Sequence, residues 1–169
     1  LWPPRSVYLH IPFCYRRCFY CDFAVVPLGD NANGLRGAGS SSIKSYLSLL
    51  HREIVLTPHG PPLSTIYIGG GTPSLLSPSQ IEELLRHLEQ KFGIQVDAEI
   101  TLEMDPSSFE KEDLEAFISS GINRVSLGGQ SFKNEVLNQL GRTHQQKHLL
   151  QSCEWLIEAQ WQGKLNSWS

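Results

Sequence analysis

Thr65-Ile66-Tyr67-Ile68-Gly69-Gly70-Gly71-Thr72-Pro73 runs from a β-branched and aromatic stretch straight into three glycines, the form of a strand that stops at a turn. Just beyond it, Ser77-Pro78-Ser79-Gln80 has the form of a capping box with proline at the first helical position. Ile81, Leu84, Leu85, Leu88 and Phe92 then recur at helical spacing, and Gly93 closes the helix. Strand, turn and helix in about thirty residues make one βα unit.

The same order recurs on both sides. Upstream, Ser6-Val7-Tyr8-Leu9-His10-Ile11 is a short strand ended by Pro12, and Ile43, Tyr46, Leu47, Leu50 and Ile54 mark a helix over 43–56. Downstream, Ile100-Thr101-Leu102-Glu103 precedes Pro106 and a helix over 111–120 closed by Gly121. Arg124-Val125-Ser126-Leu127 precedes Gly128-Gly129-Gln130 and a short helix ending near Gly141. Thr143 is placed to cap a last helix bearing Leu149, Leu150, Cys153, Leu156 and Ile157. Four such units predict an α/β fold with a parallel sheet and crossover helices. Residues 27–42, rich in glycine, serine and asparagine, are read as a flexible insertion.

The composition sets bounds. A chain of 169 residues, 40% hydrophobic, can bury one substantial core. A formal net charge of −3 and a pI of about 6.1 give no electrostatic reason to expect nucleic acid or a membrane surface as partner. No apolar run approaches the roughly 18 residues of a transmembrane helix, so a soluble protein is expected. The chain opens at Leu1 without methionine, which reads as a processed or truncated start whose targeting segment has gone.

Ligands of parallel α/β sheets gather at the carboxyl ends of the strands. There the cysteines follow the first strand, the glycines the second, Glu103 ends the third and Gln130 follows the fourth. Cys14-Tyr15-Arg16-Arg17-Cys18-Phe19-Tyr20-Cys21 is a C-x3-C-x2-C run in one loop. Such clustering points to metal ligation rather than to a disulfide framework. Three thiolates in one loop suit a [4Fe–4S] cluster whose fourth iron stays open. The rival is a zinc site, which wants four closed ligands and which Asp22, His10 or Cys153 could complete.

Tyr8-Leu9-His10-Ile11-Pro12-Phe13-Cys14, the cysteine triad and Cys21-Asp22-Phe23 resemble the signature of radical S-adenosylmethionine (SAM) proteins. The subgroup resembled is that of the oxygen-independent coproporphyrinogen III oxidases and their haem-chaperone relatives. Gly69-Gly70-Gly71-Thr72-Pro73, Glu103-Met104-Asp105-Pro106 and Gly129-Gln130-Ser131-Phe132 match the same family in the same order, over about residues 7–145.

The resemblance implies a partial (β/α) barrel of the radical SAM type, with about four of roughly six βα units present. It implies a [4Fe–4S] cluster on Cys14, Cys18 and Cys21, with SAM chelated to the open iron and cleaved by the reduced cluster to a 5′-deoxyadenosyl radical. Tyr8 and Tyr20 would flank the cofactor. Gly70, Gly71 and Thr72 would meet its amino group, with no glycine side chain in the cofactor's space, and Glu103, Gln130 and Arg142 would hold its polar parts. No residue is given a catalytic role.

The oxidases carry a further cysteine two residues after the third ligand, where this chain has Phe23. That favours the haem-chaperone branch, with an electron donor and a haem-accepting protein as partners and haem bound only by the full-length protein. The location implied is a mitochondrion or another organelle in a eukaryote, and otherwise the cytoplasm. Two alternatives stay open: an oxidase-type enzyme, or an inactive product that keeps only the cluster-binding module. Residues 1–159 are expected to form a truncated core, with 160–169 an unrelated C-terminal tail. Strand four is then expected to be an open parallel edge, and the chain alone to neither oxidise coproporphyrinogen III nor mature a haem protein.

Overall fold

The computed structural model describes residues 3–29 and 40–169. In chain order the elements are β1 (Ser6–Ile11), β2 (Phe13–Cys14), β3 (Val26–Pro27), α1 (Ser41–Leu56), β4 (Leu63–Gly70), α2 (Pro78–Phe92), β5 (Ile94–Met104), α3 (Lys111–Ser119), β6 (Arg124–Leu127), α4 (Asn134–Gln139), α5 (Gln146–Trp161) and β7 (Ser167–Trp168). The main sheet has the order β1-β4-β5-β6-β7, and every neighbouring pair is parallel. This is the expected α/β architecture. Strand residues Ile11, Ile66, Ile68, Leu102 and Val125 are fully buried beneath Ile43 of α1, Ile81 and Leu88 of α2 and Phe117 of α3.

The capping box forms as read. Ser77 Oγ accepts from the Gln80 backbone N–H at 3.2 Å, and Gln80 Oε1 accepts from the Ser77 N–H at 2.9 Å. Gly93 ends α2 with φ 79°, which glycine adopts without a Cβ clash. Replacing Ser77 by alanine removes one of two reciprocal caps, and urea denaturation is expected to show a loss of about 1 kcal/mol.

Four expectations change. First, β4 and β5 extend beyond the residues read as strand, because pairing with neighbours recruits flanking backbone. Second, α5 starts after Gln145, whose N–H donates to His148 Nδ1 at 3.1 Å. The Thr143 hydroxyl instead meets that of Ser107 at 3.0 Å. The buried stripe of α5 is Leu149, Ser152, Leu156 and Ala159, while Leu150 and Ile157 are exposed.

Third, the tail joins the sheet. Ser167–Trp168 lies parallel to β6, pairing Arg124 with Ser167 and Val125 with Trp168, and Leu165 is buried in the core. The Leu127 N–H donates to the Ser169 carbonyl at 2.7 Å. The expected open edge is thus covered, since β6 offers unpaired backbone groups and the tail supplies an apolar anchor and an aromatic strand residue. Fourth, of residues read as a flexible insertion, 30–39 lie outside the described residues. At the flanks, Val26–Pro27 is a strand and Ser41–Leu56 a helix. Among the described residues no helix is long and apolar enough to cross a membrane.

Candidate functional site

A cavity of about 340 Å³ opens at the carboxyl edge of the sheet. The loop after β1 contributes Cys14, Cys18, Cys21 and Tyr20 to its wall, and the turn after β4 contributes Gly70, Gly71 and Thr72. Glu103 enters from the end of β5, and Gln130 and Arg142 from the segment after β6. Parallel strands bring together what the chain separates by over a hundred residues. Tyr8 stands apart from this lining. It stacks on Tyr67 with ring centroids 6.0 Å apart, and its hydroxyl lies 3.1 Å from His10 Nδ1.

The cysteine loop is tied down by backbone pairing. β2 and β3 form a two-residue ribbon, the Leu28 N–H donates to the Cys14 carbonyl at 2.8 Å, and the Cys21 N–H donates to the Cys18 carbonyl at 3.1 Å. Arg17 Nε donates to the Cys21 carbonyl at 2.9 Å. All four cysteines are free. Burial raises the pKa of the Cys14 thiol, and the nearby Cys18 and Cys21 add to this, against a hydrogen bond with Thr72. A bound metal would reverse that balance by taking the thiolate.

Among the described residues no three His, Cys, Asp or Glu side chains gather closely enough to hold a single ion. His10 is engaged at both nitrogens, by the Tyr8 hydroxyl and, at 3.2 Å, by the Ala24 carbonyl. A cubane takes each thiolate on a different iron and so spaces its sulfurs more widely than one tetrahedral ion does. The donor set, three thiolates around an open cavity, fits a cluster.

The glycines matter for a reason the sequence did not reveal. A Cβ on Gly70 would lie 2.6 Å from His10 Nδ1, and one on Gly71 would lie 2.7 Å from the Phe13 carbonyl and 2.9 Å from Cys14 Sγ. Their missing side chains make room for β1 and the cysteine loop at the cavity wall. Glu103 accepts from the Tyr67 hydroxyl at 2.7 Å and from the Gly70 N–H at 2.9 Å, which fixes the carboxylate against the glycine turn. Gln130 has φ 58°, a left-handed backbone costing about 1 kcal/mol that turns the chain at the cavity wall.

Asp105 and His144 were not singled out from sequence. Arg142 Nη2 is ion-paired with Asp105 Oδ2 and donates to the Gly128 carbonyl at 2.8 Å. Its Nη1 reaches the Tyr20 hydroxyl at 3.2 Å and Cys18 Sγ at 3.5 Å. His144, fully buried, donates from Nε2 to the Gly129 carbonyl at 3.0 Å, while its Nδ1 faces Asp105 Oδ2 at 3.8 Å, beyond hydrogen-bond reach. The one available signal was Asp105 itself, a carboxylate just before a proline at a parallel strand's carboxyl end.

Burial alone would raise the Asp105 pKa. The adjacent His144 and Arg142 and two hydrogen bonds from Ser107 more than offset it and hold the carboxyl below its usual range. A depressed carboxylate stabilises the fold above its unfolded pKa, about 3.9, and that stability is lost as pH falls through the folded value. Asp105→Asn is expected to flatten the acid limb of stability below about pH 4. At neutral pH it should cost about 3 kcal/mol, by leaving the Arg142 charge buried without its partner. Urea denaturation at a series of pH values checks both.

A family model described as the radical SAM superfamily matches residues 8–168. The chain belongs to the radical SAM superfamily. The match takes in β7. Among curated relatives, Heme chaperone HemW of Synechocystis sp. is 41% identical over 150 residues, covering 88% of this chain and 35% of that protein. Heme chaperone HemW of Escherichia coli is 38% identical over 144 residues, covering 84% and 36%. The cattle (Bos taurus) protein named Radical S-adenosyl methionine domain-containing protein 1, mitochondrial, is 34% identical over 155 residues, covering 92% and 33%.

Among solved structures, the radical SAM enzyme coproporphyrinogen III oxidase (HemN) of Escherichia coli superposes with a TM-score of 0.78 at 30% identity, covering 98% of this chain and 36% of that one. The chain spans 33–36% of the length of these three curated relatives.

Proposed function

We propose that this chain binds a [4Fe–4S] cluster on Cys14, Cys18 and Cys21 together with SAM, and that in its full-length form the protein serves haem delivery as a haem chaperone. The observation that carries the reading is the convergence of three free thiols with Gly70, Thr72, Glu103, Gln130 and Arg142 on one cavity. When bound, the cluster supplies an electron for cleavage of the SAM sulfonium. The chain's own part is to bind and orient. Glu103, already fixed by Tyr67 and Gly70, is suited to an ammonium group. Arg142 is suited to a carboxylate, through the N–H now directed at the exposed Tyr20 hydroxyl. Gln130 and Thr72 add neutral polar contacts, and Tyr8, one ring removed through Tyr67, supports that side.

Phe23 lines the cavity and brings no thiol where the oxidases have one, which favours delivery over decarboxylation. The relatives named as haem chaperones support the same choice. An electron donor and a haem-accepting protein are the partners this reading needs. The name of the cattle relative supports an organellar location. The likeness to HemN favours a second reading, an oxidase-type enzyme.

Incubation of the reconstituted protein with reductant, SAM and coproporphyrinogen III, and separately with haem and an apo-haem protein, discriminates between them. Haem bound and passed on by the full-length form, with no haem transfer by this chain alone and no protoporphyrinogen from either, is the expected result. Formation of protoporphyrinogen would replace the chaperone reading by the oxidase one. A cluster with neither activity would leave a cluster-binding module alone.

A further inference from the structure

Arg142 has five N–H donors, and four are directed at groups of the protein. Nη2 is held by Asp105 and by the Gly128 carbonyl, and Nη1 faces Cys18 Sγ and the Tyr20 hydroxyl. Nε is buried without a partner. The guanidinium is thus pinned between the ends of β5 and β6, with one edge turned to a thiol of the cysteine loop. The neighbouring cation, Arg17, directs its donors to the Cys21 and Phe23 carbonyls instead.

The anchor is itself rigid. Asp105 Oδ1 accepts from the Ser107 N–H at 2.9 Å and from its hydroxyl at 2.7 Å. The Asp105 N–H donates to Ser74 Oγ at 3.1 Å, and its carbonyl accepts from Ser108 Oγ at 2.8 Å. Ser74 and Ser108 are buried and hydrogen-bonded to each other. The carboxylate therefore belongs to a frame joining the turn after β4 to the end of β5.

We propose that Arg142 donates a hydrogen bond to the Cys18 thiolate and raises the reduction potential of the cluster bound there, with Asp105 as the positioning residue that aims it. The proposal rests on the cluster reading given above. Reduction adds negative charge to the iron–sulfur unit, and a donor on a ligand sulfur stabilises the reduced form. Arg142 is only 11% exposed at its side chain, so solvent screens its charge weakly.

The test is the midpoint potential of anaerobically reconstituted protein, read by spectroelectrochemical titration and by electron paramagnetic resonance of the reduced state. Arg142→Gln is expected to keep its iron, to shift the potential to more negative values and to alter the resonance. Arg142→Lys keeps the charge but loses the planar fork, and is expected to fall between the two. Asp105→Asn is expected to change the potential differently in the wild-type and Arg142→Gln backgrounds, because its effect is routed partly through Arg142.

Full iron content with an unchanged potential in Arg142→Gln would overturn the proposal. Should that variant fail to hold iron, a wild-type potential in Arg142→Lys would overturn it. Equal shifts from Asp105→Asn in both backgrounds would overturn the positioning role. Absence of any cluster in the wild type would defeat the reading of the site itself, a separate outcome.

Discussion

Anaerobic reconstitution with iron and sulfide is expected to load about four irons onto the wild-type chain, with broad charge-transfer absorbance, and to load no stable cluster onto Cys14→Ala, Cys18→Ala or Cys21→Ala. The expectation is all-or-none because the three thiols are the thiolate donors lining the cavity, and two protein ligands leave a cubane with two open irons. Cys153→Ala is the internal control. Its thiol lies on α5, outside the cavity wall, and should leave iron content unchanged. Stoichiometric zinc without acid-labile sulfide in the wild type would reverse the assignment.

The second large effect is expected at the glycine turn, and it separates two neighbouring residues. Gly71→Ala puts a methyl group 2.9 Å from Cys14 Sγ and against the backbone of the loop that carries it. The thiol must move, and iron loading should fall several-fold. Gly70→Ala meets the His10 ring at 2.6 Å and asks an L-residue to hold φ 119°, which together should cost about 3 kcal/mol of stability. Denaturation curves and iron analysis of both variants check this. A Gly70→Ala protein of wild-type stability that merely bound SAM less well would show that this glycine is kept as a gap for the cofactor and not for packing.

The sequence made the strongly periodic parts of this molecule legible. β1 and β6 fall on the residues read as strands, and the Ser77 capping box forms atom for atom, because both depend on neighbours in the chain. β2 and β3 could not be read, since two residues carry no period and their pairing depends on a loop folding back. The buried face of α5 could not be read either: Leu150 and Ile157 are apolar but exposed, and apolar spacing alone does not say which side meets a core.

The candidate site divides in the same way. The thiols and glycines were visible as local spacings. Asp105 and His144 matter only because parallel strands set them beside Arg142, and no local pattern encodes that juxtaposition. Whether the cavity-lining residues hold cofactor, as the resemblance implies, is for the SAM and iron measurements to decide.

The strand order of the main sheet, β1-β4-β5-β6-β7, repeats the order of those strands along the chain. During synthesis each strand therefore emerges to find its one earlier partner already made, and no strand has to wait for a later segment to fill a gap between two neighbours. Growth from a single advancing edge lets each βα unit dock in turn as it leaves the ribosome, which suits vectorial, domain-internal folding. The cysteine loop, carried by the first unit and closed by the β4 turn that follows, is then held in place while the far side of the sheet is still being translated.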